Sequence, residues 1–71
     1  MTYDHFREQG EPHWGEFREL LRRHPRGVSS GSYDEIERFA ALHRRVLSDF
    51  AYARSHFGDT DAERRLRALS L

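Results

Sequence analysis

Residues 32–57 read Ser32-Tyr33-Asp34-Glu35-Ile36-Glu37-Arg38-Phe39-Ala40-Ala41-Leu42-His43-Arg44-Arg45-Val46-Leu47-Ser48-Asp49-Phe50-Ala51-Tyr52-Ala53-Arg54-Ser55-His56-Phe57, and this stretch decides the fold. Its opening, Ser32-Tyr33-Asp34-Glu35, is a capping box: the serine hydroxyl can accept from the Glu35 amide while the Glu35 carboxylate reaches back to the Ser32 amide. Behind it Ile36, Phe39, Ala40, His43, Val46, Leu47, Phe50, Ala51 and Phe57 recur on one side at about 100° per residue. The pattern predicts one long amphipathic helix over about 33–57, closed by Gly58 as a residue able to take the left-handed conformation. Its apolar arc spans about half the circumference, from Leu42 and Ala53 round to Ala51. A helix resting on one neighbour needs a stripe of only about 100°, so this face can serve two. His43 and Arg54 fall near its middle, while Glu37, Arg38, Arg44, Arg45, Ser48, Asp49, Ser55 and His56 occupy the opposite, solvated side.

Two more helices flank it. Pro12 suits the first turn of a helix, where its missing N–H costs nothing. Trp14, Phe17, Leu20 and Leu21 then form a compact stripe ended by Pro25, which predicts helix 1 over about 12–24. Upstream, Tyr3 and Phe6 belong to a short turn that Gly10 and Pro12 keep from running on. Gly27 through Gly31 read as a Ser/Gly connector. Thr60-Asp61-Ala62-Glu63 is a second capping box, opening helix 3 over about 61–70, with Ala62, Leu66 and Leu69 as its apolar face and Glu63–Arg67 as a favourable i,i+4 pair. That stripe is unfinished at Leu71, which favours a parent protein that continues. With short connectors favouring antiparallel neighbours, the expected fold is all-α: one unit over 1–71, a helical hairpin or small three-helix bundle that self-associates.

Self-association follows from size. A chain of 71 residues sits where one core supplies only about 3–5 kcal/mol. Without a cysteine there is no disulfide and no thiolate metal site, as fits a cytosolic setting. Twelve basic and twelve acidic residues cancel, which argues against strong electrostatic affinity for nucleic acid or anionic lipid. All twelve bases are Arg, suited to bidentate pairs with carboxylates. No stretch approaches the roughly 20 apolar residues of a membrane span, and the N-terminus lacks a signal-peptide pattern.

Catalytic and metal constellations are weak. His5, His13, His24, His43 and His56 show neither H-x₃-H nor H-E-x-x-H spacing, and no Glu-x-x-His pair exists, so no metal or other cofactor is expected. Asp34, Glu35 and Glu37 sit where a helix macrodipole favours carboxylates, a simpler account of them than acid–base chemistry. No nucleophile motif appears. Arg54 on the apolar face is the sharpest oddity. Either its stem covers apolar surface with the head in water, or a carboxylate from another helix or chain meets it.

The order Trp14, Leu20-Leu21, then Glu35-Ile36 through Tyr52-Ala53-Arg54-Ser55, then Arg64-Arg65-Leu66-Arg67-Ala68-Leu69-Ser70 resembles the cytosolic N-terminal region of the stage II sporulation protein M family. Members begin with a W-x-x-L-x-x-L-L helix and continue with E-[LI]-x-x-[LF]-x-x-L-Y-R-R-x-x-x-D-L-x-x-A-R-S. Here His43 replaces the usual Tyr, Phe50 replaces Leu, and the connector around Val28 lacks the usual L-[ST] pair. Family members continue into transmembrane helices that this chain does not contain. The resemblance implies a bacterial scaffold without catalytic activity, located in the cytoplasm or at the cytoplasmic face of the membrane.

The functional expectation is therefore a non-enzymatic helical interaction module. Its partner is a second copy or a membrane protein, with no small-molecule substrate and no nucleic acid. Trp14, Phe17, Phe39, His43, Phe50, Arg54 and Phe57 are its expected contact residues, and Phe39, Phe50 and Phe57 its anchors. The alternatives are a nucleic-acid-associated protein using Arg44-Arg45 and Arg64-Arg65-Arg67, and an encapsulated or enzyme-associated cargo protein.

Overall fold

The computed structural model describes residues 1–25 and 32–70. Over these residues the chain is all-α: α1 spans Tyr3–Arg23, α2 Tyr33–His56 and α3 Asp61–Ser70, with no strand among the described residues. The three form a small bundle in which α2 lies against both α1 and α3, and which measures 38 × 19 × 15 Å. The connector expected at Gly27–Gly31 lies outside the described residues. None of the helices, over the described residues, is long and apolar enough to cross a membrane.

Where the sequence predicts a turn, a break and a helix from about 12, α1 is one continuous helix. Thr2 starts it, its hydroxyl accepting from the His5 amide at 3.2 Å. Gly10 and Pro12 both lie inside. An interior proline costs about 3 kcal/mol in a helix with nothing else to hold it. Here the segments on both sides enter the same core, Phe6 before the proline and Trp14 and Phe17 after it. Gly10 has a steric purpose: a Cβ there would stand 2.4 Å from Trp14 Cζ2 and 2.6 Å from Cε2. Only a glycine one turn earlier lets the indole lie against the helix backbone.

Both capping boxes are half made. Ser32 accepts from the Glu35 amide at 3.2 Å, but the Glu35 carboxylate turns to His24 Nε2 at 2.7 Å. His24 is the C-cap of α1, so this contact ties the end of one helix to the first turn of the next. Thr60 Oγ1 accepts from the Glu63 amide at 3.3 Å and donates to the Phe57 carbonyl at 2.5 Å. The Glu63 carboxylate pairs with Arg67 instead of reaching back. The left-handed residue between α2 and α3 is Asp59 (φ 64°), not Gly58.

Phe6, Trp14, Phe17 and Leu20 of α1, Leu42, Val46 and Ala53 of α2, and Ala62 and Leu66 of α3 make the core. This corrects the orientation of α2. Its buried stripe is Leu42-Val46-Asp49-Ala53, so Leu42 and Ala53, at the edge of the expected arc, stand at the centre of the true one. The helix is turned by roughly 90° from the sequence projection. Asp49, assigned to the solvated side, is buried, and admitting it inside is what permits the rotation.

Candidate interaction surface

At the helix crossing the Trp14 indole N–H donates to Asp49 Oδ2 at 2.8 Å. Arg45, one turn before Asp49 on α2, donates through Nε to the same oxygen at 2.9 Å and through Nη2 to the Gln9 carbonyl at 3.4 Å. The Arg65 guanidinium of α3 lies 5.6 Å from the indole centroid. Trp14 therefore meets all three helices, its N–H satisfied by a carboxylate that has its own counter-charge. Trp14 is 0% and Phe17 1% exposed, which leaves neither a surface for another chain. Their contacts are internal.

The other expected contact residues divide. Phe39 is half-buried against Phe17, ring centroids 5.1 Å apart. Phe57 is half-buried among Tyr3, Phe6 and Tyr52 at 5.4, 5.3 and 5.9 Å. Both pack against the chain's own core. His43 is exposed and stacks on Phe17 with centroids at 5.7 Å and planes 11° apart. Arg54 is also exposed, its guanidinium 5.8 Å from the centroid of half-buried Phe50. The first of the two accounts of Arg54 holds: the head is in water.

Rotating α2 into its core leaves another apolar strip outside. Tyr33 is 73%, Ile36 38% and Leu47 43% exposed. Half-buried Ala40 and exposed Ala51 share their side of the helix. Sequence periodicity included Ile36, Ala40, Leu47 and Ala51 in one wide arc but could not say which half would be covered.

Ion pairs brace the helices around this surface. Arg38 of α2 forms a two-pronged contact with Glu16 of α1, Nε to Oε2 at 2.7 Å and Nη2 to Oε1 at 2.6 Å. The Arg38 hydrogen bond holds the Glu16 carboxyl below the ordinary carboxylate range and raises the guanidinium in turn. Within α1, Arg22 does the same to Glu19. Glu63 is 2% exposed, with Oε2 lacking a hydrogen-bond partner among the described residues.

The domain-of-unknown-function family DUF8413 matches residues 4–71. The chain belongs to this family. Its matched span takes in nearly all of α1 and the whole of α2 and α3. No curated protein and no solved structure matches the chain.

The concave features of this DUF8413 chain are small. A cleft of about 230 Å³ beside Trp14 is lined by Arg18, Arg65, Ala68 and Leu69, and two open surface depressions, of about 320 Å³ over Ala51, Arg54 and Ser55 and about 290 Å³ over Asp4, Arg7, Glu8 and Glu11, lack the enclosing apolar walls of a small-molecule pocket. Among the described residues no group of three or more His, Asp or Glu could hold a metal ion. The largest exposed apolar side chains of α2, Tyr33, Ile36 and Leu47, lie along one face of that helix.

Proposed function

We propose that this chain is a non-enzymatic protein–protein interaction module whose docking surface is the outward strip of α2, from Tyr33 through Ile36, Ala40 and Leu47 to Ala51. One observation carries the reading. After α1 and α3 have covered Leu42, Val46 and Ala53, α2 still holds large apolar side chains in water. A lone exposed leucine is ordinary on any protein surface. A row of apolar residues along one helix face is the pattern by which helices recognise grooves and other helices. The resemblance to the cytosolic region of the stage II sporulation protein M family points the same way, to a scaffold segment in the cytoplasm or at the cytoplasmic face of a membrane.

The test is site-specific photo-crosslinking in cells that make the protein. A photoreactive residue at position 47 is expected to give one adduct of discrete mass. That adduct should vanish with Ile36→Glu and survive Arg64→Ala, an exposed position on α3. No adduct at position 47, or the same adducts from exposed position 8 of α1, would overturn the reading.

A further inference from the structure

The outward strip of α2 has a strict 4,3 spacing: Tyr33, Ile36, Ala40, His43, Leu47 and Phe50 fall alternately at the a and d positions of a heptad. Every large apolar residue of α2 that is exposed, namely Tyr33, Ile36 and Leu47, sits at one of these positions. The core stripe Leu42-Val46-Asp49-Ala53 lies to one side of them. At 3.6 residues per turn a heptad seam drifts by about 20° per repeat. It therefore begins well clear of the core at Tyr33 and reaches the core's edge at half-buried Phe50.

Resting on the interaction reading above, we infer that the occupant of this strip is a second copy of the chain, its α2 running antiparallel. A twofold interface needs a surface complementary to itself, residue i meeting j while j meets i. One antiparallel register provides that. Tyr33 faces the partner's Phe50, Ile36 faces the partner's Leu47, and Ala40 faces the partner's His43, with the reciprocal contacts following by symmetry. About 26 Å of helix is matched in this way. The same register places Glu37 opposite the partner's Arg44 at the flanking e positions, twice over. Both side chains are exposed. Glu37 accepts only a hydrogen bond from Tyr33 Oη at 2.8 Å, and Arg44 makes no ion pair among the described residues. Apolar matching and charge complementarity thus select one arrangement. A parallel pair would set Arg44 opposite the partner's Phe39 and Glu37 opposite the partner's Ser32 and use neither charge.

The experiment is a charge exchange read by sedimentation equilibrium of the full chain. Wild type should be a dimer that dissociates on dilution. Glu37→Arg puts arginine against the partner's Arg44 at both ends of the seam, and Arg44→Glu puts glutamate against the partner's Glu37. Each variant alone should dimerise about tenfold more weakly than wild type. Mixed in equal amounts, the two should form a heterodimer of about wild-type affinity, since each chain then meets its opposite charge at both sites. Circular dichroism of each variant should match wild type, as both positions are exposed.

A monomer at about 1 mM would overturn the inference, as would a mixture no tighter than its components. The crosslink at position 47 keeps the two readings apart. An adduct at twice the 8.5 kDa chain mass agrees with the second copy. A discrete adduct of any other mass removes the second copy and leaves the interaction module standing.

Discussion

Replacing Gly10 by alanine sets two physical rules against each other. By helix propensity alone, alanine within a helix should gain about 1 kcal/mol over glycine. The structure opposes this, because the new Cβ would meet Trp14 Cζ2 at 2.4 Å and Cε2 at 2.6 Å. Relief requires the indole to move by about an ångström, since ordinary contact begins near 3.4 Å. Trp14 is held where it is: it is 0% exposed, tilted against Phe6 at 5.5 Å and hydrogen-bonded to Asp49, so a shift into the neighbouring cleft would disturb these contacts. Overpacking of this kind costs about 1–3 kcal/mol. Disturbing the buried indole hydrogen bond adds about 1–3 kcal/mol. After subtracting the propensity gain, Gly10→Ala should destabilise by about 1–5 kcal/mol, centred near 3 kcal/mol. In a domain of this size the central value lowers Tm by roughly 10–20 °C.

Gly15, on the same helix, is the control. It is exposed, and a Cβ there meets nothing within 4 Å. Gly15→Ala should therefore raise Tm by about 4–8 °C. Thermal unfolding followed at 222 nm measures both variants. A Gly10→Ala protein as stable as wild type, beside a stabilised Gly15→Ala, would refute the packing of Trp14 on the α1 backbone.

Three further outcomes follow from named contacts. Asp49→Leu leaves the buried indole N–H without an acceptor and should cost about 1–3 kcal/mol in urea unfolding, whereas Asp49→Asn, which keeps an oxygen in place, should lose less. Asp59→Gly should stabilise by about 0.5 kcal/mol, the relief of a left-handed side chain outweighing the added freedom of the unfolded chain; a loss on thermal melting would contradict the turn geometry. Glu16 and Glu19 are held below their ordinary value of 4.5 by hydrogen bonds from Arg38 and Arg22. A carboxyl lowered in the folded state stabilises above its unfolded pKa and loses that contribution as pH falls through the folded one. Stability should thus decline below about pH 4.5, and Glu16→Gln should make the decline shallower in a series of melts across pH.

How much of this was legible beforehand depends on the kind of physics involved. Residues with local consequences were readable: Ser32 and Thr60 begin helices because a short hydroxyl side chain finds an amide three residues on, whatever the rest of the chain does. Gly10 and Pro12 misled, because their local cost is real but is outweighed by long-range packing of Phe6 and Trp14 into one core. Asp49 was hidden for the same reason. Hydropathy places an aspartate in water, and only the Trp14 N–H, 35 positions away in the chain, gives it a reason to be inside. Once Asp49 turns inward the helix turns with it. Ile36 and Leu47 then move from an expected core to an exposed surface, so the placing of the proposed docking strip depended on one buried hydrogen bond that periodicity does not encode.

The hydrogen bond from the Ala62 amide to the Tyr3 hydroxyl, at 3.1 Å, joins positions 59 residues apart. It bears on the order of events as the chain is made. The α1–α2 hairpin has all its parts as soon as His56 has been synthesised, but Tyr3 must wait for a residue near the other end. Until then its ring and those of Phe6 and Trp14 lack the α3 side of their shelter. A nascent chain that has reached only the α2–α3 turn holds these aromatic residues partly uncovered, and the arrival of α3 both satisfies the Ala62 amide and covers them.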